Sequence, residues 1–134
     1  MALITWSDKY SVGVAKFDDH HKQLVALLNE LQQTISPAGG PREIGQVLGE
    51  LAENTDRHFA AEEGGMDQYC VPGLPAHRLE HDRLRAQVKR FATGLSSGNV
   101  VVSDRVLGFL RSWLMDHIQN CDKRYSPYLQ NKAL

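Results

Sequence analysis

Cysteine is scarce in this sequence, two residues in 134, which excludes a disulfide scaffold and fits a reducing, cytoplasmic setting. Proline is also sparse, five residues, all at breakers, at a helix start or in the C-terminal tail. No apolar run approaches the ~18 residues that span a bilayer, so no membrane insertion is expected. The opening MALITWSDKY has no basic segment followed by an apolar stretch, so no secretory signal is expected. Excess charge of one sign is missing: Lys+Arg 15 against Asp+Glu 16 leaves a formal charge of -1. A nucleic-acid binder normally carries a strongly basic face, so no nucleic-acid partner is expected. At 23% charged residues the chain is not disordered by composition. Its length suits one domain, large enough to bury a core without disulfide or metal staples.

What is present is helical periodicity along nearly the whole chain. Leu24, Leu28, Leu31 and Ile35 step by three or four residues from a helix start capped by Asp18 or Asp19. Ser36-Pro37-Ala38-Gly39-Gly40-Pro41 breaks that pattern, and Pro41 fits the first turn of the next helix. This second helix runs to about Gln68 with Ile44, Val47, Leu48, Leu51, Thr55, Phe59 and Met66 on its stripe. Cys70 to Pro75 is a second breaker. A third helix over about 76–95 carries Leu84, Val88, Phe91 and Leu95 on one face. Val100-Val101-Val102 reads as a loop approaching a helix rather than a lone strand. Ser103 or Asp104 then caps a fourth helix with Val106, Leu107, Leu110, Trp113 and Leu114, and Pro127 ends or kinks it. The expected fold is all-α: one domain over 1–134, an antiparallel up-down-up-down four-helix bundle over 18–125. An irregular N-terminal arm over 1–17 packs through Trp6, Val12, Val14 and Phe17, and a loose tail covers 126–134.

The six histidines carry the chemistry. His58 and Glu62 are four residues apart, as are His77 and His81, and that spacing puts each pair on one helix face. Both pairs fall on the apolar stripes of their helices. His117 lies in line with Val106, Leu110 and Trp113, and Asp122 follows it five residues later. Five regular steps turn ~500°, well off the starting face, so these two share a site only where the helix unwinds or holds a π-type irregularity. On the first helix His21 continues the stripe, but its neighbour His20 fits the periodicity as well. Singly each pair has an ordinary explanation as a polar break or a solvated face.

Jointly they do not. In an antiparallel bundle the starts of helices one and three meet the ends of helices two and four. His21, His58, Glu62, His77, His81, His117 and Asp122 therefore converge at one end. Five imidazoles and two carboxylates left unsatisfied in a core make no sense as packing. Seven ligands exceed one tetrahedral zinc and fit two octahedral metals sharing carboxylate bridges. Imidazole-rich N/O ligation suits iron, with manganese, cobalt and zinc open on ligand type alone.

The segments ITW, FDDHHKQLV, HFAAEEGGM, HRLEH and WLMDHIQNCDKRY, in the order H…HxxxE…HxxxH…HxxxxD, resemble the hemerythrin family in its single-domain bacterial form, over essentially the whole chain. The family pattern places the ligand His directly before Lys, which selects His21 over His20. The resemblance implies two iron ions with a solvent-derived oxo or hydroxo bridge. It implies that His77, His81 and His117 complete one six-coordinate iron, that His21 and His58 hold a second with an open position for O2, and that Glu62 and Asp122 bridge. It places Phe59, Trp113, Leu114 and Ile118 around the O2 pocket and gives Tyr125 a hydrogen bond to the Glu bridge.

The expected function is reversible O2 binding for storage, buffering or delivery, with an oxygen-consuming enzyme as a partner, and not an enzyme's activity. No Glu-x-x-His stands at a ligand position, which favours a carrier over a carboxylate-rich oxygenase. The alternatives are an O2 or redox sensor, or a di-iron redox enzyme acting on peroxide, nitric oxide or ferrous iron. Sensors of this family are usually fused to a signalling domain, for which 134 residues leave no room. Three departures stand out. Gly64-Gly65 directly follows Glu62-Glu63 and is expected to loosen the helix there. Cys70 sits where Gly or another small residue is expected, and Cys121 sits beside Asp122. A disulfide between the two cysteines is not expected, and both are read as small hydrophobes.

Overall fold

A computed structural model of the chain describes residues 4–35, 41–96, 104–132 and 134, with backbone alone at 35, 41–42, 92, 94–96 and 104–106. A 3-10 turn, Asp8–Tyr10, precedes helices α1 (Ala15–Ile35), α2 (Pro41–Gln68), α3 (Leu74–Ser96) and α4 (Asp104–Asp116). The chain then continues through a π-helical turn (His117–Cys121), a 3-10 turn (Asp122–Arg124) and the short α5 (Ser126–Leu129). No strand occurs among the described residues. Helix α1 packs on α2 and α4, and α2 packs on α3, giving the expected antiparallel four-helix bundle. Among the described residues no helix is long and apolar enough to cross a membrane. The breaker over 36–40, the Val100–Val102 triplet and the Ser103 cap lie outside the described residues, as do the side chains of Ile35, Leu95 and Val106.

Each helix turns one stripe inward, and each stripe changes character along its length. Leu24, Leu28 and Leu31 of α1, Leu48 and Leu51 of α2, Val88 of α3 and Leu110 of α4 are buried. A fully buried Leu contributes about 1.5–3 kcal/mol relative to exposure, so this half of the bundle supplies the stability. Towards the other end the same stripes become His21, then Thr55, His58 and Glu62, then His77 and His81, then His117.

The N-terminal boundary differs from expectation. Helix α1 opens at Ala15, ahead of Asp18 and Asp19. Asp18 is no cap: its carboxylate accepts Ser11 Oγ at 2.6 Å and Val12 N at 2.8 Å, reaching back to stitch the arm to the helix. Farther out, Ile4 and the Asn29 side chain exchange two hydrogen bonds of 2.9 Å. Val12, Val14 and Phe17 are buried and Trp6 packs against the core. Helix α3 likewise begins at Leu74, with Pro75 inside its first turn, a place that tolerates the missing N–H.

The C-terminal segment opens with a short helix. Pro127 lies in the first turn of α5 instead of ending a helix, and Leu129 is 1% exposed. Ser126 Oγ donates to the Val12 carbonyl and Lys123 Nζ to the Lys9 carbonyl, so both chain ends clasp over the same end of the bundle. Helix α2 runs unbroken through Gly64-Gly65 to Gln68. A Cβ on Gly65 would meet Leu134 Cδ2 at 3.0 Å and Phe17 Cζ at 3.4 Å, whereas one on Gly64 meets nothing within 4 Å. Gly65 thus lets the first turn of α1 and the C-terminal segment approach α2 closely.

The end of α2 accounts for the unexpected Cys70. Val71 N bonds the Met66 carbonyl at 2.8 Å and Cys70 N the Asp67 carbonyl at 3.2 Å, the paired bonds of a Schellman C-cap. Met66 and Val71 are both buried beneath it. The motif demands a left-handed residue at position 70, and Cys70 takes φ 52°, where glycine is the low-cost choice.

Candidate metal centre

Seven buried side chains meet at the end of the bundle covered by the clasp. His21, Glu62, His81 and Asp122 are 0% exposed, His58 2%, His117 4% and His77 7%. Helix α1 contributes His21, α2 contributes His58 and Glu62 one turn apart, and α3 contributes His77 and His81 one turn apart. His117 and Asp122 come from the π-helical turn and the residue after it. The extra residue in that turn absorbs the five-step spacing, and His117 Nε2 lies 3.0 Å from Asp122 Oδ1.

The ligand atoms fall into two groups with the same two carboxylates in both. One atom each from Glu62, His77, His81, His117 and Asp122 lies within 4.8 Å of the rest, and so does one each from His21, His58, Glu62 and Asp122. A smaller grouping, Glu80, His117 and Cys121, lies at the outer edge.

The polar atoms are close without being satisfied. His21 Nε2 is 2.9 Å from Asp122 Oδ2, and His77 Nε2 is 3.3 Å from Asp122 Oδ1. Yet His21 Nε2, His58 Nε2, His77 Nε2, Glu62 Oε1 and both Asp122 oxygens make no hydrogen bond. Distance is adequate, but the geometry of a hydrogen bond is not met. Orphaned buried polar atoms are costly, and cations placed between them would remove that cost. The residues present therefore fit two metal ions.

The charges support one another in the metal-free chain. Burial would lower the His21 pKa, but Asp122 and then Glu62 outweigh it and push it up to about 9. Burial likewise opposes a charged His117, and Asp122 overcomes it, raising His117 well above the usual range. Glu62 resists the upward pull of burial because His58, His21 and His81 face it, and its pKa falls well below normal. Asp122 is pulled upward by burial and Glu62, yet His117 and His21 bring it down. Tyr125 donates its hydroxyl to Glu62 Oε2. Burial and the Glu62 charge push that phenol well above its usual pKa, so it stays a donor.

Two further residues complete the site and were missed as partners in the sequence. Glu63 Oε2 lies 3.0 Å from His81 Nδ1 and 3.0 Å from Arg85 Nη2. Its pKa is lowered, because His81 and Arg85 outweigh burial. His20, considered above as a rival ligand, is half-buried and sets its Nδ1 2.8 Å from His58 Nδ1. Burial and then the His58 charge lower its pKa. Both contacts cross between helices, so helical spacing carries no trace of them. Phe59, Trp113, Leu114 and Ile118 are all buried, and Phe59 stacks on His81 with ring centroids 3.8 Å apart.

A four-helix bundle with five imidazoles around two shared carboxylates has the donor set of a non-heme di-metal site. The family model for the hemerythrin HHE cation-binding domain matches residues 12–129, and the chain belongs to the hemerythrin family, known for di-iron oxygen binding. The bacteriohemerythrin of Methylococcus capsulatus is 33% identical, over 96% of this chain and 98% of its own. That of Stenotrophomonas maltophilia is 30% identical, over 97% of this chain and 84% of its own. A crystal structure of wild-type hemerythrin superposes with a TM-score of 0.91 at 32% identity, covering 96% of this chain and 99% of that one.

Proposed function

We propose that this chain binds dioxygen reversibly at a di-iron centre and serves in oxygen storage, buffering or delivery. His77, His81 and His117 would hold one iron and His21 and His58 the other, with Glu62 and Asp122 shared by both. The unequal imidazole count around two shared carboxylates carries this reading: it leaves the second metal one protein ligand short, as binding of a small exogenous ligand requires. Iron held there would supply the electrons and an open coordination position for dioxygen, and an imidazole-rich N/O donor set suits it.

The chain's own part is charge, orientation and dryness. Glu62 and Asp122, both held ionised, offset the positive charge of the metals. Tyr125 holds one Glu62 oxygen and so fixes the carboxylate plane. Phe59, Trp113, Leu114 and Ile118 wall the pocket and keep water out. Two free thiols are compatible with work in the cytoplasm, where an oxygen-consuming enzyme would take the cargo.

One cycle of visible spectroscopy tests the reading: reduce without air, admit O2, then purge. A charge-transfer band that appears with O2 and vanishes on purging is the expected result. Direct passage to a fully oxidised spectrum without recovery overturns the carrier reading in favour of a sensor or redox enzyme.

A further inference from the structure

Every imidazole that points Nε2 at a metal has a second nitrogen on its far side. What that nitrogen meets sets the tautomer and ring angle of the ligand. For His81 the outer partner is the Glu63 carboxylate, at 3.0 Å. For His58 it is another imidazole: the two Nδ1 atoms of His20 and His58 are 2.8 Å apart.

Resting on the ligand assignment above, we propose that His20 is the positioning residue of the two-histidine side, accepting the Nδ1–H of His58 and thereby fixing that ligand's ring and tautomer. Two nitrogens at this distance share one proton; two N–H groups would collide and two lone pairs would repel. The His58 Nε2 atom has no hydrogen-bond partner and lies 3.3 Å from Glu62 Oε1, on the inner side. With Nε2 given to a metal, the one proton of neutral His58 sits on Nδ1. His20 must then present its Nδ1 lone pair and carry its own proton on Nε2.

The fold holds His20 to that role. Successive helical residues point ~100° apart, so one helix aims His21 at the carboxylates and His20 at the outer edge of His58. The Phe17 ring, fully buried, packs near both, with centroids 6.2 Å from His20 and 5.9 Å from His58. Beyond the pair lies a cleft of about 40 Å³, lined by His20, Gln23, Asn54, Arg57 and His58. It is polar and large enough for an ordered water to accept the Nε2–H of His20. The consequence is an unequal centre: a carboxylate backs a ligand on the three-histidine side, and a neutral, weaker acceptor backs one on the two-histidine side.

The test uses the full chain loaded with ferrous iron, comparing wild type with His20→Leu and His20→Gln. Leu removes the acceptor, whereas Gln keeps one in its side-chain oxygen. His20→Leu should weaken one of the two irons by about 10–100-fold, the usual range for loss of an outer-shell partner, and leave the other unchanged. His20→Gln should recover most of that affinity. A second readout is the exchangeable His N–H signal shifted by the paramagnetic iron, which should move in both variants and which a role in packing alone would leave in place. If His20→Leu fails to fold, the signal in His20→Gln decides: a shift supports the assignment and its absence overturns it. Unchanged affinity and signal in both variants also overturn it. A wild-type chain that takes up no iron removes the ligand assignment itself, and the proposal with it.

Discussion

On the side of His77, His81 and His117, three imidazoles face the shared carboxylates, and Glu63 with Arg85 braces one of them from outside. On the side of His21 and His58 there are two imidazoles, and the outer brace is a third, His20. Both sides use the same Glu62 and Asp122. The contrast teaches that one pair of shared carboxylates can face two unlike imidazole clusters, with the difference carried by imidazole count and by what stands behind the rings.

The strongest way to break the comparison is to remove what the sides share. Asp122→Ala should empty both, and metal analysis should find iron per chain near zero. The same change strands His21 and His117 without their buried partner and should cost the metal-free chain about 3–5 kcal/mol, measurable by denaturant unfolding. Removing one side at a time comes next. His58→Ala leaves a single histidine on its side, and iron per chain should fall to about one. His81→Ala leaves two histidines on the other side and should weaken the iron there while leaving it bound at saturating metal. Equal losses in the two variants would erase the proposed difference between the sides.

Titration of the metal-free chain is a gentler probe. The His21 pKa is raised from 6.5 to about 9, so its contribution to stability is complete below 6.5 and disappears as pH rises through about 9. Glu62 and Asp122 have pKa values lowered from 4.5 and 3.8, so their contribution is present above those values and lost as pH falls below them. Thermal melts of the metal-free chain should therefore peak at about pH 4.5–6.5. Iron uptake should instead improve as pH rises, because the histidine protons must leave first. Loss of that opposition in His21→Gln would assign it to this side of the centre.

Cys70→Gly serves as the control with the smallest effect. It relieves the left-handed residue of the α2 cap and should add about 1 kcal/mol of stability, without altering iron content on either side.

The histidine and carboxylate pattern was legible because helical geometry is local. His58 with Glu62 and His77 with His81 lie one turn apart on stripes that alternating apolar residues already mark. Even the irregular pair was readable: five steps from His117 to Asp122 require an extra residue in the turn, and the structure has a π-helical turn there. The same locality limited the chain ends. Asp18 has the chemistry of a helix cap, but its oxygens go to Ser11 and Val12, a choice made by where the arm lies. Gly65 looked like a weak point and is a contact with Phe17 and Leu134, which no spacing rule displays.

What the sequence alone determined, then, is which faces of four helices carry imidazole and carboxylate and that these faces meet at one end, since periodicity and strand-free connectivity suffice for both. The family pattern was needed to select His21 over His20; in the structure His21 is buried beside Asp122, whereas His20 lies against the outer edge of His58. What only the tertiary structure decided is what stands behind the ligands: Glu63 on His81, His20 on His58, and the clasp of arm and C-terminal segment above them. Those contacts join residues on different helices, and their partners are set by helix rotation and separation, which depend on the packing of the whole core.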